Sequence, residues 1–137
     1  MQGSYYILRN IPTKFTNLVN LGVLISAFCH DADHTGRNNL FEVNSLSRLA
    51  LKYHDKSVLE QHHAAVTFKI LSKETSNIFS NVKGEDYKQL RKLIISNILA
   101  TDMKVHFDVI SAFNDVRERI EKSGEEQFRK SLETNIL

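Results

Sequence analysis

Between Glu85 and Ser123 the chain has neither glycine nor proline. These two residues are the strongest interrupters of regular structure, so a stretch that long without them favours helix. Tyr87, Leu90, Ile94, Ile98, Met103, Phe107, Ile110, Phe113 and Ile120 recur through it at close to helical spacing. The pattern predicts a helix over about 85–122. A straight helix of that length would measure roughly 55 Å. A domain of this size has a radius of gyration of only about 14 Å. The helix must therefore bend, near Thr101–Lys104, or project against something else.

The rest of the chain reads the same way, with one proline and five glycines in 137 residues. Residues 1–14 are aromatic and then polar, with Pro12 as a stop. Thr16 predicts a cap for a nearly all-apolar helix over about 17–29. Such a helix expects neighbours on every side. Residues 31–39 read as a loop or broken helix end hinged at Gly36. A short helical piece follows at about 40–53. Asp55 or Ser57 predicts the cap of a helix over about 57–72. Residues 77–84 read as a connector with Ile78 and Phe79 tucked inward. Ser123-Gly124 ends the long segment, and 125–137 look like the start of another helix. No strand or internal repeat is visible, so the predicted class is all-α.

Composition narrows the function. The chain is 42% hydrophobic and 25% charged, which suits a globular core and excludes disorder. A net charge of +2 argues against nucleic acid or an anionic membrane as the main partner. The most apolar run, Leu18 to Cys29, is too short for the roughly 20 residues of a bilayer span. The N-terminus lacks the pattern of a secretory leader. A single cysteine, Cys29, excludes an internal disulfide framework. An intracellular, cytoplasmic location is the expectation.

The chemistry-bearing stretch is His30-Asp31-Ala32-Asp33-His34-Thr35-Gly36-Arg37-Asn38-Asn39. An imidazole offers one nitrogen to a metal, and a carboxylate offers two oxygens and can bridge two divalent ions. His34 could face the same site if the helix continued for a turn, and Asp33 could orient one of the imidazoles. These residues alone leave two readings open, a metal centre or a solvated loop.

The surrounding text adds a resemblance. Residues 30–41, with Leu40-Phe41 closing the run, resemble the metal-binding segment of the class I 3′,5′-cyclic-nucleotide phosphodiesterases, a branch of the HD-domain metallohydrolases. Residues 40–53, then Asp55-Lys56-Ser57-Val58-Leu59-Glu60-Gln61-His62-His63-Ala64-Ala65, continue it without a gap. Ile98-Leu99-Ala100-Thr101-Asp102-Met103 with His106-Phe107 is similar to a further block of the family. The match is best over 17–113. Ala32 departs mildly, since the family usually has a larger apolar residue there.

The resemblance implies hydrolysis of cAMP, cGMP or both to 5′-nucleoside monophosphates. It implies two divalent ions, zinc with magnesium or manganese. His30 and Asp31 would be metal ligands, with Asp31 bridging both ions and lying close to substrate. His34 would be catalytic, bonding to metal-held water near the phosphate. Asn39 and Glu60 would line the second ion's water shell. Asp102 would sit near the catalytic histidine, and Met103 would border the substrate pocket. Taken on its own, Glu60 reads as a solvated helix carboxylate, Met103 as core packing, Arg37 as a solvated loop residue and Cys29 as a small core residue. Of His62 and His63, at least one reads as a core histidine with a satisfied hydrogen bond. A carboxylate at Asp102, between Thr101 and Met103 on an apolar helix, needs a partner.

The family also uses a His-Asn-x-x-His-x-x-Asp motif upstream of the stretch that residues 2–9 resemble, and an Ala-Asp-Ile/Leu-Ser-like segment downstream. Neither occurs in residues 1–137. The expectation is therefore the central part of a phosphodiesterase catalytic domain, an incomplete helical core holding two of the four protein metal ligands. Little activity is expected of the 137-residue polypeptide alone. Its expected partners are a cyclic nucleotide and the rest of the catalytic domain or a homologous chain. The alternatives are a non-catalytic helical interaction module of the same fold and another HD-type hydrolase with altered ligands.

Overall fold

The computed structural model describes residues 1–11 and 15–123. The expectations for Pro12 and for a helix in 125–137 lie outside them. Among the described residues there are seven α-helices, one 3-10 turn and no strand. The all-α class holds.

Helix α1 spans Gln2–Asn10, a segment the sequence pattern did not mark as helical. Helix α2 spans Asn17–Cys29, and the Thr16 hydroxyl accepts from the Val19 amide as a cap should. That bond is worth about 1 kcal/mol. Helices α3 (Asn39–Asn44) and α4 (Arg48–Tyr53) replace the single piece foreseen at 40–53. The break falls at Leu46, whose φ is 50°. A non-glycine residue in that left-handed region cannot continue a right-handed helix.

Helix α5 spans Val58–Leu71, and a 3-10 turn at Glu74–Ser76 leads to α6, Gly84–Leu99. Helix α7 runs from Met103 to Ser123. The long periodic segment thus breaks at Ala100–Asp102, within a residue or two of the bend that its length demanded.

The core lies between α2, α5 and α6. Leu90, Ile94 and Ile98 of α6 are fully buried and meet Ala64 of α5 and Phe79 of the connector. Leu18, Leu21 and Ile25 of α2 close the other side. Gly22 lets the two helices approach closely, since a Cβ there would lie 2.5 Å from Leu93 Cδ2. Two expectations need correction. Helix α2 is not enclosed on all sides. Among the described residues only α1, α5 and α6 cover it, and Phe28 is 71% exposed. In the connector Phe79 is buried, but Ile78 points outward.

Helix α7 packs against no other helix among the described residues. At 21 residues it is about 31 Å long. Its apolar side chains Phe107, Ile110 and Phe113 are exposed.

One buried carboxylate ties the turn after α2 to α3. Glu42 takes bonds from Ser47 and Thr35, the Thr35 Oγ1 at 3.0 Å. The Ser47 bond, seconded by Thr35 and by the charges of Arg37 and His62, holds its carboxyl below the usual glutamate value despite burial. A depressed folded value means the unfolded chain binds the extra proton. The contribution is complete above the ordinary value near 4.5 and is lost as pH falls through the lower folded value. Glu42→Gln should therefore lower the urea midpoint at neutral pH, with the gap to wild type narrowing below about pH 4. A gap that stays constant on acidification would refute this account.

Candidate functional site

Helix α2 ends at Cys29, and a tight turn carries residues 30–38 across the end of α5. Asp33 and Gly36 both take positive φ, 60° and 78°. Gly36 does so at no steric cost. His34 therefore reaches the site through a turn and not, as one reading had it, by continuation of the helix.

The hydrogen bonds around this turn fix where the imidazole lone pairs point. His63 of α5 is 2% exposed, and its Nδ1 donates to the Ala32 carbonyl at 2.7 Å. Its Nε2 is left bare, 4.0 Å from Asp31 Oδ1. Burial pushes the His63 imidazole below its ordinary value, only partly offset by the Ala32 bond and Asp31, which favours the neutral ring. His30 donates from Nδ1 to the Ala27 carbonyl at 3.1 Å, and its Nε2 stands 3.2 Å from Asp31 Oδ2. The Asp31 carboxylate thus faces an imidazole nitrogen from each oxygen. Bare nitrogens turned toward a carboxylate suit a shared cation.

Asp31, His34 and His63, all of metal-ligand type, bring one nitrogen or oxygen each to within 4.8 Å of one another. His34 differs from the other two. Its Nδ1 accepts from the Gly36 amide at 2.9 Å, so the neutral ring carries its proton on Nε2. In that form it donates a hydrogen bond and does not ligate. It also stacks on His63, with centroids 5.5 Å apart. Asp33 pairs with His62 at 2.8 Å, so the imidazole it orients is neither His30 nor His34.

His34, Asn39, Glu60, Asp102 and Met103 line one cavity of about 590 Å³, together with Arg37 and Lys104. His30 opens on a neighbouring depression of about 540 Å³, which adjoins the first at Thr101. Asn39 joins the walls. Its Nδ2 donates to Glu60 Oε2 at 2.9 Å, and its Oδ1 accepts from the Leu59 amide at 2.9 Å. That second bond caps α5 from a distance, a task for which Asp55 or Ser57 was expected. Ser57 has φ 41° and sends its hydroxyl to Asp102 Oδ2 at 2.8 Å. The other oxygen, Oδ1, accepts from the Lys104 amide at 2.9 Å. These are the partners that a carboxylate only 4% exposed requires.

Several bland readings fail here. Glu60 is half-buried and bonded, not a free surface acid. Met103 is 68% exposed at the cavity and is not core. Arg37 is exposed in the loop, as read, and lies over the Phe41 ring at 4.6 Å. Cys29 behaves as read, a partly buried thiol whose ordinary value is raised by burial. Sequence reasoning gave His63 no role at the site. The adjacent pair His62-His63 offered no signal as to which ring would turn inward.

The family model for 3′5′-cyclic nucleotide phosphodiesterase matches residues 1–137. The chain belongs to this family. Phosphodiesterase relatives include the human high affinity cGMP-specific 3′,5′-cyclic phosphodiesterase 9A, 40% identical over 92% of this chain and 21% of the relative. The dual 3′,5′-cyclic-AMP and -GMP phosphodiesterase beta of Plasmodium falciparum is 50% identical over 73% of the chain and 9% of its own length. The phosphodiesterase domain of the Salpingoeca rosetta rhodopsin phosphodiesterase superposes with a TM-score of 0.85 at 36% identity. It is matched over 97% of this chain and 40% of its own. The chain therefore spans about a fifth of the human relative and under half of the solved phosphodiesterase domain. No helix among the described residues is long and apolar enough to cross a membrane.

Proposed function

We propose that this chain is the central part of a catalytic domain that hydrolyses 3′,5′-cyclic nucleotides, cAMP, cGMP or both. The observation that carries the reading is the placement of Asp31 between two imidazole nitrogens, beside a cavity lined by His34, Asn39, Glu60 and Asp102. The overall reaction adds water across the phosphodiester. A P–O bond forms to the water oxygen, the P–O3′ bond breaks, and the departing 3′ oxygen takes a proton.

The donor set fits divalent ions, with zinc and magnesium or manganese as the proposed pair. When bound, such ions lower the pKa of water and polarise a phosphoryl oxygen. His30 and Asp31 are the proposed ligands. Asp31 offers an oxygen to either side. The His34 Nε2–H is placed to donate to an anionic oxygen in the cavity. Asn39 holds Glu60 in one orientation, and Ser57 and the Lys104 amide do the same for Asp102, so that the polar wall is set before substrate arrives. Met103 supplies apolar surface beside it.

The test uses the protein at its full natural length, with cAMP and cGMP assayed separately in the presence of zinc and magnesium. Turnover of at least one nucleotide is expected, with loss on chelation and recovery on metal addition. Metal-loaded protein that turns over neither would sink the reading. The exposed apolar face of α7 supports a second statement, that this segment associates with the rest of the catalytic domain or a homologous chain.

A further inference from the structure

We propose that Lys104 is a substrate-contact residue whose ammonium group meets the phosphate anion at the rim of the 590 Å³ cavity. The inference rests on the cyclic-nucleotide reading above and deepens it.

Four charged side chains line the cavity. Two are carboxylates, and both are committed to the protein. Glu60 accepts from Asn39, and the buried Asp102 accepts from the Ser57 hydroxyl and the Lys104 amide. Two are cations. Arg37 rests on the Phe41 ring. Lys104 is exposed, and among the described residues no carboxylate forms an ion pair with its ammonium. Among the described residues neither cation forms an ion pair, and Lys104 differs from Arg37 in having no ring contact either.

Its root is held while its tip is free. The Lys104 amide is bonded to Asp102 Oδ1 at 2.9 Å, which pins the second residue of α7 against the cavity wall. A lysine on a fixed root with an unpaired ammonium is a point charge suited to a phosphate oxygen. A cyclic phosphodiester carries one negative charge into the cavity, and Lys104 supplies the matching positive one. The sequence assigned roles to both preceding residues, Asp102 and Met103, and none to Lys104. Its neighbours on the cavity wall, His34 and Asn39, come from a segment far away in the chain.

The experiment compares wild type, Lys104→Met and Lys104→Arg in the full natural protein. In Lys104→Met, KM for the cyclic nucleotide should rise about five- to tenfold, with kcat within about twofold. Lys104→Arg should restore KM to within about threefold of wild type. Added sodium chloride should raise KM in the wild type more steeply than in Lys104→Met, since screening acts on the charge that was removed. An unchanged KM in Lys104→Met, with the same salt dependence, would overturn the proposal. Should the wild type turn over neither nucleotide, the reaction assigned above fails, and calorimetric binding of 5′-AMP and 5′-GMP decides Lys104 separately. Weaker binding in Lys104→Met by the same factor supports it. Equal affinity, or no binding by either protein, overturns it.

Discussion

Asp31→Ala should reduce cyclic-nucleotide turnover by at least about 100-fold in the full natural protein, and should weaken metal retention in the same preparation. The geometry explains the size of the effect. Both oxygens of Asp31 face an imidazole nitrogen, His30 Nε2 at 3.2 Å and His63 Nε2 at 4.0 Å. Removing the carboxylate leaves those nitrogens facing each other across a gap with no anion to hold a cation between them. Asp31 is well exposed and contributes nothing to the core, so the fold should survive. Near-wild-type unfolding with lost metal, read by metal analysis after dialysis, is the expected pattern. Retention of metal and of more than about a tenth of the activity would remove Asp31 from the site.

Ile94→Ala should have the largest effect on stability. Ile94 is fully buried on α6, where the helix meets α2 and α5. Losing its methylenes and leaving a cavity costs about 2–5 kcal/mol. In a chain of this size that lowers the unfolding midpoint by roughly 10 °C or more. Gly22 sharpens the expectation, because the tight approach it permits holds α2 and α6 close and limits collapse into the void. Thermal unfolding followed by circular dichroism would show the change. A shift below about 3 °C would mean that this interface contributes little to stability.

The helices were legible because their signals are local. Thr16 before an apolar run, and an uninterrupted periodic segment too long to remain straight, pointed to α2, to α6 and to a bend near Thr101–Lys104, which the structure has at Ala100–Asp102. The divided 40–53 segment was not legible. Its break depends on a left-handed Leu46, a conformation that a leucine does not advertise. At the site, chain proximity pointed to His30, Asp31 and His34, and the family resemblance added Asn39, Glu60, Asp102 and Met103. Residue types could not show that His63 would turn inward while its neighbour His62 paired with Asp33. Nor could they show that the cap of α5 comes from Asn39, some twenty residues earlier. Long-range hydrogen bonds of this kind leave no spacing pattern for a periodicity argument to find.

Asn39 carries a consequence for how variation in this chain should be judged. Asparagine and aspartate rank together as helix caps, so a substitution table scores the exchange as mild. Here the two halves of the amide have different duties. The oxygen caps Leu59, which an aspartate would also do, while the nitrogen donates to Glu60. An aspartate would satisfy the helix and turn a second carboxylate oxygen on Glu60. The position therefore obeys two grammars at once, and only the residue with both a donor and an acceptor on one carbon satisfies them. A variant at Asn39 judged harmless by helix formation could still be a lesion of the cavity.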